Sequence, residues 1–359
     1  MLLDIVRRTR DDSSVSQISN NLPTPAAGRT PGLIGLDWGT TSARAYLLDE
    51  AGNVLGTGPS GRGILAVTEH AATAQERGAA FEEEFERMCG PWLDQDPGLP
   101  VLASGMVGSN QGWVDVPYQN LPQDLNSLAG ALVRVPTRRG RVHIVPGLLD
   151  SRALPQVMRG EETQILGILE MTADGIDAAG EKVIVLPGTH TKWVRVREAS
   201  VINFLTVMTG EMYGLLTRHS ILSRLARNPE APAMDAFDRG VRMSIDNAAD
   251  GGLLAALFSA RTLPLTGRMP ADHVNDYISG LMIGAEVASC VRDWLSSGAD
   301  IPPGGVLLCG ETQLCLRYQR ALQQLGIASS VVGGDVVTHG LRRIAFAAGM
   351  LDEQTKGIS

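Results

Sequence analysis

The feature that most limits the fold of this chain is a local pattern that occurs twice. Residues 33–47 (LIGLDWGTTSARAYL) and 183–196 (VIVLPGTHTKWVRV) each contain an apolar strand, a turn with Gly-Thr and a further threonine, and a second strand with a basic residue. The first copy continues through a turn at 50–53 into VLGT, so residues 33–57 predict a three-stranded meander. A pattern that recurs in both halves of a chain indicates internal duplication, and we expect two similar units.

Helical and strand-like segments alternate after each copy of this pattern. After the first copy they are a helix at 70–92, strands at 100–103 and 143–145, and a helix at 161–171. After the second copy they are a helix at 272–296, a strand at 305–308, a helix at 312–325, a strand at 328–332 and a helix at 336–350. The alternation predicts two α/β domains, at 32–180 and 181–350, with a cleft between them. We expect a mostly disordered extension at 1–31 and a short tail at 351–359.

The composition indicates a globular protein and limits its partners. Of the 359 residues, 44% are apolar and 19% are charged, and the net charge is −8. An acidic chain without a basic stripe does not suit nucleic acid as a partner, and no apolar run reaches the roughly 18 residues that span a membrane. The four cysteines show no CxxC spacing, which favours reduced thiols. We expect a cytoplasmic protein that binds a small molecule, with a homodimer as one open option.

The turn of the first copy contains residue types that suit phosphate and a metal ion. Gly39 permits a tight turn and a close approach of the backbone to a ligand, and the amides and hydroxyls of Thr40 and Thr41 can donate to phosphate oxygens. Asp37 stands at the end of the strand, where it can hold Mg²⁺ through water. Alone, the same residues also describe an ordinary polar hairpin turn.

The turn of the second copy has the same character. Its hydrogen-bonding residues suit the other side of a polyphosphate: Gly188, Thr189, His190, Thr191 and Lys192. Taken alone, His190 and Lys192 are equally explained as solvated hairpin residues. Two such turns, one in each half, favour nucleotide binding between duplicated domains.

Two adjacent carboxylates, Glu161 and Glu162, open the helix at 161–171 between the two turns. Acidic side chains in a first helical turn interact favourably with the helix dipole, which is a sufficient structural reason for both. The functional alternative is that one of them is the base that orients and deprotonates a substrate hydroxyl. We favour Glu162 for this role and keep Glu161 as its rival.

Two further segments are candidates for ligand contacts. A loop rich in glycine and polar side chains follows the strand at 100–103, and such loops often carry ligand sites in α/β sheets; its candidates are Ser104, Gly105, Met106, Ser109 and Asn110. A strand–glycine–helix junction at Gly310, Glu311 and Thr312 has space for an adenine or ribose to lie against the backbone. Both segments also occur as purely structural features of α/β proteins.

Taken in order, eight blocks resemble the 2-dehydro-3-deoxygalactonokinase family, which belongs to the actin/hexokinase/sugar-kinase superfamily. The blocks run from about residue 33 to 350 and are DWGTTSARAYL, SGMVGSNQGW, VPGL, MRGEETQILG, LPGTHTKWV, TVMTGE, SGLMIGAEVAS and GDVVTHGLRRIA. The resemblance implies two ribonuclease-H-like domains of the actin/hexokinase type that close around ATP and a sugar acid. It also implies ATP-dependent phosphorylation of 2-dehydro-3-deoxy-D-galactonate at O6, with Mg²⁺ as the metal.

The resemblance also assigns roles to particular positions. Asp37 and residues 39–41 match the first phosphate motif, and residues 188–192 match the second, although Pro187 stands where relatives usually have an aspartate. Asp37 is therefore the expected Mg²⁺ partner. Cys309 replaces one of the two glycines of the adenosine motif, and Glu162 falls at the position of the catalytic carboxylate.

The substrate carboxylate requires a cation, and two arginines adjoin the motifs. Arg44 and Arg159 are candidates because a guanidinium binds a carboxylate through two hydrogen bonds. Both arginines also fit a structural role as salt-bridge partners.

Three alternatives to this activity remain at the sequence level. A phosphohydrolase that resembles the exopolyphosphatases also has two glutamates before the second phosphate turn, but it requires a basic channel that this sequence lacks. A sugar-sensing regulator normally carries a DNA-binding module, and 31 mostly polar residues before the fold are too few for one. A kinase for the gluconate-derived epimer is not separated by sequence, since the two acids differ at one hydroxyl.

Overall fold

The computed structural model describes residues 29–152, 154–172, 180–227, 230–246, 251–295 and 304–351. The extension expected at 1–31 and the tail expected at 351–359 lie outside these residues, apart from 29–31 and 351. The first strand begins at Pro31, one residue before the expected domain start. In the part of the chain that is described, no helix has the length and apolar character needed to cross a bilayer.

The described secondary structure alternates as expected for an α/β protein. The strands are β1 Pro31–Trp38, β2 Ser42–Asp49, β3 Val54–Thr57, β4 Gly61–Arg62, β5 Val101–Ser104, β6 Gln119–Asn120, β7 Gln123–Asp124, β8 Val133–Thr137, β9 Gly140–Ile144, β10 Leu148–Asp150, β11 Gln156–Met158, β12 Glu181–Leu186, β13 Thr191–Arg197, β14 Ser200–Val207, β15 Val306–Leu308 and β16 Ser329–Val331. The α-helices are α1 Ile64–Thr68, α2 Ala74–Gln95, α3 Glu161–Met171, α4 Thr209–His219, α5 Met234–Ile245, α6 Gly252–Leu265, α7 Val274–Ser289, α8 Thr312–Gln324 and α9 Val336–Ala347.

The described residues form two compact units. Unit 1 holds those within 1–149, 157–176 and 335–359, and unit 2 holds those within 150–156 and 177–334. The main sheet of unit 1 has the strand order β3-β2-β1-β5-β9-β8, and in unit 2 the order is β14-β13-β12-β15-β16. In both units three antiparallel strands come first and two parallel strands follow. The expected α/β class and the expected duplication are therefore confirmed.

Helix α9 belongs to unit 1, whereas the division at 180/181 expected from the sequence assigned residues 336–350 to the second domain. The physical reason is a close backbone contact between α3 and α9. A Cβ atom on Gly167 would lie 1.8 Å from the Val336 carbonyl oxygen, and one on Gly340 would lie 2.0 Å from the Thr163 carbonyl oxygen. Contact this close requires glycine on both helices, and sequence periodicity does not reveal it.

Helix α2 begins at a capping box and closes the core of unit 1. The Thr73 hydroxyl accepts a hydrogen bond from the Glu76 amide (3.2 Å), and the Glu76 carboxylate accepts one from the Thr73 amide (2.9 Å). The helix therefore starts four residues after the expected position 70. Its buried Phe81 lies 5.3 Å from the Trp38 ring, which anchors the end of β1. The end of β1 is the position of the first candidate turn.

Candidate functional site

The first turn, residues 37–41, lies where β1 ends, and the start of helix α1 supports it. The Gly39 amide donates to the Ser42 carbonyl oxygen (2.9 Å) and closes the turn. The Gly39 carbonyl accepts from the Ile64 amide (3.1 Å), and the Thr40 carbonyl accepts from the Leu65 amide (3.2 Å). Thr40 and Thr41 are exposed, so their hydroxyls are available to a ligand.

Asp37 is next to the last residue of β1 and has neighbours on two strands. It is in register with Arg44 on β2 and with Ser104 on β5. Burial raises the pKa of Asp37, and the Arg44 guanidinium, whose Nη1 is 4.0 Å from Oδ2, lowers it in part. Arg44 balances the charge of this partly buried carboxylate only in part, so a second cation nearby is favourable.

The donor set at this position suits magnesium better than a metal with many protein ligands. Within the described ranges, no group of three or more His, Cys, Asp or Glu side chains is arranged to hold a metal ion. Mg²⁺ usually keeps several waters and takes one or two carboxylates together with phosphate oxygens. Asp37 fits this pattern as a single carboxylate beside a turn that offers phosphate donors.

The ends of β1 and β5 and the start of α3 meet through two glycines in unit 1. Gly105 and Gly160 have φ values of +104° and +105°, a region that favours glycine. A Cβ atom on Gly105 would lie 2.7 Å from the Trp38 carbonyl oxygen, and one on Gly160 would lie 3.1 Å from the Gly105 Cα atom. The Ser104 hydroxyl is consequently 3.3 Å from Glu162 Oε1. The structure thus brings the expected residues of the first turn, the loop after β5 and α3 to one edge of the sheet.

Glu162 is fully buried at the first turn of α3. The Gly160 amide donates to both of its carboxylate oxygens, at 2.9 and 2.7 Å. Burial, with a smaller contribution from the charge of Glu161, raises the pKa of Glu162 to about 7. A carboxyl group with a pKa near neutrality is suited to accept and release a proton at physiological pH.

Glu161 differs from Glu162 in both exposure and contacts. It is half-buried, and its Oε2 atom accepts a hydrogen bond from the Arg159 amide at 2.9 Å. Glu162 has the raised pKa, whereas Glu161 is the more accessible of the two side chains. The structure therefore keeps both carboxylates at the site and distinguishes them by environment.

Arg159 is the most unusual charged residue of this edge. Only 7% of it is exposed, its Nη2 donates to the Val116 carbonyl (2.7 Å), and its guanidinium lies 4.2 Å from the centre of the Tyr118 ring. Its Nε and Nη1 atoms are buried and make no hydrogen bond. Buried donors without a partner are costly, so this guanidinium is suited to an anionic ligand. Arg44, in contrast, is exposed and lies beside Asp37.

The other residues of the loop after β5 have mixed surroundings. Met106 begins a short 3-10 turn, and the buried Ser109 donates its hydroxyl to the Met106 carbonyl (2.7 Å), so Ser109 stabilises its own loop. Asn110 is exposed, and its carbonyl accepts from Arg77 at 3.3 Å. Of these residues, Asn110 has the side chain most available to a ligand.

The second turn, residues 187–192, connects β12 and β13 in unit 2. Thr189 and His190 are exposed at its tip, and the His190 ring pairs with Glu211. The Thr189 carbonyl accepts from the Glu211 amide (3.0 Å), and a Cβ atom on Gly210 would lie 2.3 Å from the Gly188 carbonyl oxygen. The start of α4 therefore packs directly on this turn.

Thr191 and Lys192 are both buried, unlike the residues at the tip of the second turn. The Thr191 hydroxyl is 2.9 Å from the Tyr318 hydroxyl, so its side chain points into the unit 2 core. The Lys192 ammonium lies 3.4 Å from the His190 carbonyl oxygen. Only the first part of the second turn therefore offers exposed groups to a ligand.

A cavity of about 210 Å³ adjoins the second turn in unit 2. Helices α4, α7 and α8 form its walls, and its lining includes Gly188, Tyr213, Met282, Glu311 and Arg317. Glu311 also caps α8, since its carboxylate accepts from the amides of Gln313 (2.9 Å) and Leu314 (2.8 Å). One expected residue of the second turn, Gly188, and one of the strand–glycine–helix junction, Glu311, thus line the same cavity.

Gly310 and Thr312 are both exposed beside this cavity. A Cβ atom on Gly310 would lie 2.9 Å from the Pro187 carbonyl oxygen, so the junction packs on the second turn.

Sequence reasoning missed the cavity residues that come from α4, α7 and α8. Thr209, Tyr213, Arg317 and Tyr318 had no assigned role, although all four line the cavity. The available signal was the Thr-Gly pair at 209–210, which opens a helix directly after a strand. The other residues lie on separate helices, and only the tertiary structure shows that they meet.

Comparisons with known proteins cover both units. A family model described as 2-keto-3-deoxy-galactonokinase matches residues 37–344. The chain is 33% identical over 316 residues to a 2-dehydro-3-deoxygalactonokinase of Escherichia coli, with coverage of 88% of this chain and 97% of that protein. A crystal structure of a Sinorhizobium meliloti protein named for the same activity is 30% identical, with a TM-score of 0.74 and coverage of 91% of this chain and 100% of the other.

Proposed function

Because the chain belongs to the 2-keto-3-deoxy-galactonokinase family, we propose that it transfers the γ-phosphoryl group of ATP to O6 of 2-dehydro-3-deoxy-D-galactonate, a step in galactonate breakdown. The observation that carries the proposal is the combination of Arg159 and Glu162 in one part of unit 1. A buried guanidinium with two unpartnered nitrogen atoms lies close enough to lower in part the pKa of a carboxyl group, which is about 7. A cation for an acid and a base for a hydroxyl are the two groups that a sugar-acid kinase requires.

In this proposal, unit 1 binds the acceptor. The substrate carboxylate accepts a hydrogen bond from Nε or Nη1 of Arg159, which removes the cost of one buried unpaired donor. Glu162 accepts the proton of the attacking hydroxyl, and the Gly160 amide holds its carboxylate in place. The Asn110 side chain is exposed in the same loop region and is available to a sugar hydroxyl.

The first turn contributes to the phosphate and metal contacts. The hydroxyls of Thr40 and Thr41 donate to phosphate oxygens, and Asp37 holds Mg²⁺ through water. When bound, Mg²⁺ supplies positive charge against the phosphate oxygens. Phosphoryl transfer depends mainly on such positioning and charge stabilisation, because little covalent chemistry is left to the protein.

Unit 2 binds the nucleotide in this proposal. Gly188 and Thr189 offer backbone groups to the phosphates at the tip of the second turn, and the adjoining cavity receives the ribose and base. We also propose a cytoplasmic location, since ATP is available there.

A coupled assay of ADP release tests the proposal. The protein is supplied with ATP and Mg²⁺ and with 2-dehydro-3-deoxygalactonate, its gluconate epimer, plain hexoses or no acceptor. We expect turnover only with the keto-deoxy acids, and faster turnover with the galactonate epimer. ADP release without an acceptor would instead indicate a phosphohydrolase, and a preference for the other epimer would change the assigned substrate.

A further inference from the structure

A buried carboxylate in unit 2 lies behind the second turn and has no role in the chemistry described so far. Glu286 is on helix α7 and is 5% exposed. Its Oε1 atom accepts from Trp193 Nε1 at 2.6 Å, and its Oε2 atom accepts from the Tyr318 hydroxyl at 2.7 Å. Burial raises the pKa of Glu286, and the Thr209 side chain near the same carboxylate lowers it in part. One carboxylate thus interacts with donor side chains of three separate elements.

Each of these donors belongs to an element that borders the cavity or the second turn. Trp193 is on β13, directly after Lys192, and it is fully buried. Thr209 is the first residue of α4, and Tyr318 is on α8; both line the cavity. Glu286 itself is absent from the cavity lining, so it can act only through these three residues.

The network continues from Glu286 to the second turn itself. The Tyr318 hydroxyl is also 2.9 Å from the Thr191 hydroxyl. Because Tyr318 donates its single proton to Glu286, Thr191 must donate to Tyr318. The order of donors is therefore Thr191 to Tyr318 to Glu286, and the carboxylate determines the direction of both hydrogen bonds.

The packing around Gly210 makes the turn sensitive to the position of α4. The Gly188 carbonyl lies against Gly210, where a Cβ atom would be only 2.3 Å away. A shift of Thr209 therefore moves the neighbouring Gly210 against the tip of the turn. The carboxylate holds the base of the turn through Thr191 and its tip through α4.

We propose that Glu286 is a positioning residue for the nucleotide: it fixes the second turn and the α4 and α8 walls of the adjoining cavity in the arrangement that receives a nucleoside triphosphate. This inference rests on the proposed nucleotide role of that cavity. It assigns a function to a buried charge that neither packing nor the phosphoryl-transfer chemistry accounts for.

Two variants perturb the network with little change of volume. Glu286→Gln replaces one acceptor oxygen by an NH₂ donor, so either Trp193 or Tyr318 loses its acceptor. If Tyr318 faces the new donor, its hydroxyl must donate to Thr191 and the order of donors reverses. Tyr318→Phe removes the link between Glu286 and Thr191 and leaves the aromatic ring in the core.

A matched control is available in the same unit. Tyr277 is a fully buried tyrosine on α7, and its hydroxyl lies 2.7 Å from the Ser259 hydroxyl. Tyr277 and Ser259 do not line the cavity. Tyr277→Phe therefore removes one buried tyrosine hydroxyl, as Tyr318→Phe does, but from outside the cavity lining.

The experiment compares ADP affinity by calorimetry, the KM values for ATP and for the sugar acid, and the melting temperature of the full chain. We expect Glu286→Gln and Tyr318→Phe to raise the ADP Kd and the ATP KM about tenfold, the cost of one buried hydrogen bond, with the KM for the acid unchanged. Tyr277→Phe should lower the melting temperature as much as Tyr318→Phe and leave the nucleotide constants at wild-type values.

Equal nucleotide affinities in Tyr318→Phe and Tyr277→Phe would overturn the inference and reduce the network to a structural one. If Glu286→Gln does not fold, the two tyrosine variants still decide the question. A wild-type protein that turns over the acid but shows unchanged variants would refute the positioning role alone. A wild-type protein that does not bind ADP would refute both this role and the proposed function.

Discussion

At the scale of single residues, unit 1 buries two charged groups that its packing does not explain. Glu162 has a raised pKa, and Arg159 has two N–H groups without acceptors. Both the buried carboxyl group and the N–H groups without acceptors cost free energy when no ligand is bound. A sugar acid that presents a carboxylate to one and a hydroxyl to the other would relieve both, so the proposed substrate and the local electrostatics agree.

We expect Glu162→Gln to reduce kcat by a factor of about 10² to 10⁴, the usual contribution of a general base. The ADP Kd should stay near the wild-type value, because the base contacts the acceptor. Single-turnover kinetics and calorimetry measure the two effects. Glu161→Gln is the matched variant: wild-type turnover in Glu162→Gln together with a loss in Glu161→Gln would show that Glu161 is the base.

We expect Arg159→Met to raise the KM for the sugar acid at least tenfold and to leave the ATP KM unchanged, because in the proposed complex the guanidinium binds the substrate carboxylate. Arg159→Lys should recover little, since an ammonium lacks the planar set of donors that holds Val116 and a carboxylate together. Steady-state kinetics with varied acid measure this. If Arg44→Met raises the acid KM and Arg159→Met does not, the carboxylate is bound by Arg44.

At the scale of elements, glycines determine how closely the backbones approach. Helices α3 and α9 pack through Gly167 and Gly340, and the ends of β1, β5 and α3 meet through Gly105 and Gly160. Side chains at these positions would overlap backbone atoms, which cannot move away easily. The position of Glu162 therefore depends on close packing of elements as well as on its own contacts.

We expect Gly167→Ala to destabilise the protein by about 3 kcal/mol or more, because its Cβ atom would lie 1.8 Å from the Val336 carbonyl oxygen and the helices must separate. Gly78→Ala in α2 is the control, since a Cβ atom there meets no atom within 4 Å. It should stabilise the protein by roughly 0.5–1 kcal/mol through helix propensity. Urea titrations measure both changes, and equal midpoints for the two variants would contradict the close packing.

At the scale of the whole molecule, the stability of the chain depends on the protonation of Glu162. Its pKa is about 7 in the folded protein against 4.5 for the free side chain, so between these values the folded state binds a proton that the unfolded state has lost. The contribution of this residue to stability is therefore greatest below about pH 4.5, falls as the pH rises, and stays low above about pH 7.

We expect the melting temperature of Glu162→Gln, relative to wild type, to increase from pH 5 to pH 8, because glutamine cannot ionise. Differential scanning calorimetry of both proteins across this range measures the difference, and other titrating groups cancel in the comparison. Glu83→Gln, at an exposed carboxylate of α2, serves as the control. A difference between Glu162→Gln and wild type that does not change with pH would refute the raised pKa.

Much of the fold and of the candidate site in unit 1 can be predicted from sequence, because the patterns that indicate them lie within short segments. The two turns, the helix that starts at Glu161 and the closeness of Arg159 to both carboxylates follow from short segments and their resemblance to a family. The cavity of unit 2 cannot be predicted in this way, since Thr209, Met282 and Arg317 lie on three separate helices. The same limit applies to Glu286, whose burial and donors depend on contacts between distant residues.

The hydrogen bonds at the first turn have a consequence for the charge of what can bind there. The carbonyl oxygens of Gly39, Thr40 and Thr41 all accept backbone amides at 63–65, at distances of 3.1, 3.2 and 3.3 Å. With these three carbonyls engaged, the groups of the turn that remain for a ligand are mainly backbone amides and the Thr40 and Thr41 hydroxyls. Amide protons suit oxyanions and repel bare cations. This preference for anions comes partly from the backbone, so we expect substitutions of the threonine side chains to weaken it without removing it.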